Sequence, residues 1–72
     1  MRQTKKDRIL SVIRDLGGFG ATCDEVEILT GISHQTTSSA IRNAVIDGTV
    51  RDTGKQRPTR LGGFGIVWEC VP

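Results

Sequence analysis

The side chains able to do chemistry collect in two stretches. From Ser33 to Arg42 the chain reads Ser-His-Gln-Thr-Thr-Ser-Ser-Ala-Ile-Arg, a run of short hydrogen-bonding groups closed by one guanidinium. An amide such as Gln35 can meet the polar edge of a planar ring with donor and acceptor at once, and Arg42 can clamp a ring edge or an anionic oxygen. Ser33, His34, Thr36, Ser38 and Ser39 add further donors to the same set. The second stretch, Gly54 to Phe64, carries Lys55, Arg57 and Arg60, cations of the kind that hold phosphate, with the neutral amide of Gln56 among them.

Catalysis asks for more than this. His34 is the single histidine, and the sequence shows no nucleophile–base arrangement around it, so no enzyme activity is expected. Cys23 and Cys70 are two ligands where a structural zinc site takes about four, so neither a metal nor another cofactor is expected. Without a Cys-x-x-Cys pair both read as reduced thiols; the alternative is a redox pair joining the second helix to the last strand. Gly62-Gly63-Phe64-Gly65 is no phosphate cradle, because no helix pattern follows to align its N–H groups. Trp68 has a face for base stacking, but it reads as a core residue closing the sheet over the first helix.

The elements that must position these groups follow from spacing. Ile9, Val12, Ile13 and Leu16 recur at helical intervals, with Thr4 as N-cap, Asp7 three residues on, and Gly17-Gly18 as the stop. Phe19-Gly20-Ala21 reads as an extended link with a residue or two of strand. Thr22-Cys23-Asp24-Glu25 is a capping box opening a second helix to about Thr30, expected to bury Val26 and Leu29, with Gly31 ending it. Ser33 caps a third helix from His34 to Asp47, whose face Ile41, Ala44 and Val45 mark. The first half of that helix is poor in helix formers, which predicts a loose first turn. Thr49 to Thr53 and Gly65 to Val71 are expected strands. Between them lie the basic residues, on a connection longer than the usual hairpin loop of about 2–5 residues.

Size and charge bound the partner. The 72 residues make one domain, with no apolar run of about 18 residues to span a membrane and no secretory signal pattern at the start. Net charge is only +2, but it is unevenly placed. Arg2, Lys5, Lys6, Arg8 and Arg14 crowd the start, Asp24, Glu25 and Glu27 the middle, and Lys55, Arg57 and Arg60 the hairpin. Such asymmetry points to a polyanion. Lys5, Lys6 and Arg8 are secondary candidates for contact, as is Asn43. No small-molecule ligand is expected.

Helix, link, helix, tight turn, helix and hairpin make a mainly α chain with a small β-hairpin (α+β). This is a winged helix-turn-helix over residues 1–72, with Ile32 plugging the space between the second and third helices. Gly20-Ala21-Thr22-Cys23-Asp24-Glu25-Val26, Thr30-Gly31-Ile32-Ser33-His34-Gln35-Thr36, Ser39-Ala40-Ile41, Gly48-x-Val50, Arg57-Pro58-Thr59-Arg60-x-Gly62 and Val67-Trp68 resemble, in that order, a family of small winged-helix DNA-binding proteins of bacteriophages and prophages. The resemblance implies the fold and a role on double-stranded DNA, in a transcription regulator or a DNA-transaction accessory factor. The expected location is the bacterial cytoplasm, at the nucleoid. Helix 3 is then expected in the major groove, reading through Ser33, His34, Gln35, Thr36, Ser38, Ser39 and Arg42. The wing is expected on the backbone or in the minor groove through Lys55, Gln56, Arg57 and Arg60. Four neutralised phosphates would give a log–log salt slope of about −3.6. The sequence departs from the family at Glu27, where a small residue usually faces helix 3, and at Ala44 and Thr49, where Leu is frequent. The alternative is a protein-interaction module, to which the acidic second helix is suited. A homodimer stays open; with the chain ending at Pro72, its surface is expected from helix 1 or the hairpin.

Overall fold

Each helix starts where a hydroxyl can satisfy its first N–H groups. In the computed structural model, which describes residues 4–72, Thr4 and Asp7 form a reciprocal capping box at α1, Lys5–Leu16. Thr22 and Glu25 form a second at α2, Cys23–Thr30, and Ser33 caps α3, His34–Ile46. A single 3-10 turn, Gly17–Phe19, follows α1. The chain then closes with β1, Val50–Pro58, paired antiparallel to β2, Phe64–Cys70. Three helices and a terminal hairpin give the expected α+β layout of a winged helix. Arg2, counted above with the basic start, falls outside the described residues.

Between α2 and α3 the backbone turns at Gly31, whose φ of 72° is left-handed and suits glycine. Ile32 is only 7% exposed and fills the angle between these helices. The core continues through Ile9 and Ile13 of α1, Val26 of α2, Ala40, Ile41 and Ala44 of α3, and Val50 of β1. Trp68 is half-buried against its edge. Of the extended link expected before α2, Phe19 instead closes the 3-10 turn, while Ala21 pairs as strand, exchanging two backbone bonds of 2.8 Å with Trp68. Gly20 makes this approach possible, since a Cβ there would lie 2.6 Å from Val67 and 2.7 Å from the Trp68 carbonyl. Among the described residues no helix is long and apolar enough to cross a membrane.

Three expectations need correction. Leu29 is 59% exposed, because α2 is short and the buried Ile32 fills the space beyond Val26. Val45 also lies largely outside the core; Thr37 and Ala40 complete the stripe with Ile41 and Ala44. The hairpin connection is not long. β1 runs on to Pro58 after a register shift between Asp52 and Gln56, where Gly54 has φ 81°, and only Thr59 to Gly63 remain as the turn. Lys55, Gln56 and Arg57 are therefore strand residues. Gln56 and Arg57 are held by pairing with Ile66 and Gly65 rather than by their own weak β preference, and Lys55 sits in the register shift, its N–H bonded to the Thr53 hydroxyl.

Candidate nucleic-acid interface

At 100° per residue the buried stripe of α3 leaves Gln35, Ser39 and Arg42 along its outward crest, with Ser38 beside them. All four are exposed, and the crest carries no bulky apolar side chain until Ile46. Ser33 and Thr36 do another job. The Ser33 oxygen accepts from the Thr36 N–H and its hydroxyl donates to Thr36 Oγ1 at 3.1 Å, so both are occupied in starting the helix. His34 turns toward α2. The set expected from the sequence thus divides, with Gln35, Ser38, Ser39 and Arg42 as its outward part.

The hairpin divides as well. Arg57 points inward. Its guanidinium donates to both Glu25 carboxylate oxygens at 3.0 and 2.7 Å and to the carbonyls of Phe19 and Gly20 at 2.9 Å. It also stacks 4.1 Å from the Phe19 ring centroid, a favourable cation–π geometry. Arg60 donates from Nε to Asp24 Oδ1 at 2.7 Å and from its backbone N–H to Asp24 Oδ2 at 3.1 Å, with Glu27 a further 3.8 Å neighbour. The side-chain hydrogen bond from Arg60 holds the Asp24 carboxyl below its ordinary range. Arg57 and Arg60 of the wing and the acidic residues of α2 therefore neutralise each other. Lys55 and Gln56 are exposed, and neither Lys55 nor Arg42 has an ion pair among the described residues. Lys6 lies 3.5 Å from Asp47, and Arg8 donates to the Thr30 carbonyl.

A groove of about 1120 Å³ separates α3 from the hairpin. Its walls are mainly apolar: Ile41, Val45 and Ile46 on the helix, Leu61, Phe64 and Trp68 on the wing. Leu61 and Phe64 are 96% and 72% exposed. No family model, curated protein or solved structure matches the chain.

One constellation escaped the sequence reading. Cys23 and Glu27 lie one turn apart on α2, and the helix-turn-helix bend delivers His34 to them. Glu27 Oε2 sits 2.9 Å from His34 Nδ1 and accepts from the Cys23 thiol at 3.4 Å, while sulfur and Nδ1 are 3.8 Å apart. His34, around which the sequence shows no nucleophile–base arrangement, thus has a thiol and a carboxylate beside it. The contact also resolves Glu27, which faces α3 where small residues are usual and finds a partner there. The available signal was the i, i+4 spacing of Cys23 and Glu27 followed by a histidine just past the turn. Burial, then the bond to Glu27 and the charges of Glu27 and Asp24, push the Cys23 thiol up to about 12. Burial also raises Cys70, whose thiol points to the Leu10 carbonyl at 3.7 Å. Both cysteines are free.

Proposed function

We propose that the protein binds double-stranded DNA, with α3 in the major groove. The observation that carries this reading is the crest of Gln35, Ser38, Ser39 and Arg42, exposed on the second helix of a helix-turn-helix and flanked by a wing. Small polar side chains let the helix axis come close, Gln35 suits adenine, and Arg42 suits guanine or phosphate. Lys55 and Gln56 supply the wing's backbone contacts. The resemblance to phage winged-helix proteins supports the same role, as a regulator or accessory factor at the bacterial nucleoid.

The salt dependence is shallower than the sequence suggested. With Arg57 and Arg60 occupied by α2, Arg42 and Lys55 neutralise about two phosphates, giving a log–log slope of about −1.8 at ~0.9 per phosphate. Fluorescence anisotropy on duplex pools at several salt concentrations measures this. Gln35→Ala is expected to flatten sequence preference, and Lys55→Ala to weaken all duplexes alike. Absence of duplex binding even at low salt overturns the reading. The apolar groove favours a second reading, a protein-docking module. In that case a partner is retained after nuclease treatment, and Phe64→Ala, not Gln35→Ala, releases it.

A further inference from the structure

The cluster where α2 meets α3 has a use of its own. Cys23, Glu27 and His34 converge three different ligand atoms, with separations of 2.9, 3.4 and 3.8 Å. A tetrahedral ion with metal–sulfur distance about 2.3 Å and metal–nitrogen or –oxygen about 2.0 Å spaces its ligand atoms roughly 3.3–3.5 Å apart. The observed triangle differs from that by a few tenths of an ångström. We propose that Cys23 Sγ, Glu27 Oε2 and His34 Nδ1 bind one divalent transition-metal ion of the zinc type, with a fourth position open to water.

Ligand chemistry selects the class. Thiolate and imidazole suit zinc and cobalt and exclude magnesium and calcium, which take oxygen ligands. Two ligands stand on one helix face and the third enters at the start of the next helix, so the site needs no rearrangement of the chain. The carboxylate is already oriented: its other oxygen, Oε1, lies 3.8 Å from Arg60 Nη2, and Asp24 anchors that guanidinium. Such outer partners hold ligands in place. All three ligands line the groove between α3 and the hairpin, so the fourth position opens to solvent. On binding, a metal–sulfur bond replaces the S–H bond and the thiol proton leaves to water. The site is independent of whether α3 reads DNA.

Cobalt(II) titration of the full, untagged chain is the test. One ion per chain is expected, with a thiolate-to-cobalt charge-transfer band, intense four-coordinate d–d bands, and displacement by zinc but not by magnesium. Cys23→Ser abolishes the charge-transfer band, whereas Cys70→Ser keeps it. His34→Ala removes a side chain that is 74% exposed, so the chain still folds, and affinity falls at least about tenfold; Glu27→Gln does likewise. The proposal is overturned if the wild-type chain shows no charge-transfer band, if Cys23→Ser retains it, or if His34→Ala binds cobalt as tightly as the wild type.

Discussion

Thr37 faces the core of α3 fully buried, and its hydroxyl has no partner among the described residues. A buried hydroxyl without a hydrogen bond costs about 1–3 kcal/mol. Val keeps its shape without that cost, so Thr37→Val is expected to raise stability by about 1 kcal/mol; urea denaturation measures it, and a loss of stability refutes it. Asp24 shows the opposite economy, a charged group held by a partner. Its carboxyl is lowered in the folded state by the hydrogen bond from Arg60, so folding favours the ionised form. That stabilisation is complete above the ordinary value of 3.8 and disappears as pH falls through the lower folded value. The melting-temperature gap between wild type and Asp24→Asn is therefore expected to be constant near neutrality and to close in acid. A gap that persists at the acid end counts against this pair.

Among the elements, α2 carries more of the architecture than its length implies. Glu25 closes its own helix start by accepting from the Thr22 N–H at 3.0 Å and receives Arg57 from β1 with the same carboxylate. Arg57→Met keeps much of the stem's packing on Phe19 but leaves the Glu25 charge without its cation and takes the guanidinium from two carbonyls. It is expected to cost about 2–3 kcal/mol, or roughly 10–20 °C in Tm for a domain of this size. A thermal melt checks it, and an unchanged Tm with weakened duplex binding would return Arg57 to the DNA face. The first turn of α3 is the converse case. Its composition predicts looseness, which early amide-exchange protection would contradict; the Ser33 cap bonds within its own turn and the His34–Glu27 contact ties that turn to α2.

At the scale of the whole molecule, what was legible in the sequence is what is local. Capping hydroxyls, the glycine at the helix-turn-helix bend and the helical spacing of Ile9 and Ile13 act within a turn or two of chain, so the order of helices and hairpin could be read directly. The fate of the charges could not. Arg57 finds Glu25 at a separation of 32 residues, and Arg60 finds Asp24 at 36; only the completed hairpin brings them together. The extension of β1 through Lys55 and Arg57 escaped for the same reason, since its register is dictated by β2. His34 gained its neighbours from the angle of the bend, which spacing alone does not specify. The candidate reading surface was legible only in part, because solvent-facing crest and helix-start hydroxyls look alike in one dimension.

The anchoring of the hairpin has one more consequence. Arg57 and Arg60 fasten the wing to α2, and the Ala21–Trp68 bridge fastens it to the link before α2. None of these ties reaches α3, yet α3 is itself packed on α2 through Ile32. Both walls of the groove are thus tied to a common frame, α2 and the link before it. If α3 reads DNA as proposed, the spacing between its crest and the wing is set at α2, so loosening Arg57 or Arg60 displaces the wing's contacts without touching the crest.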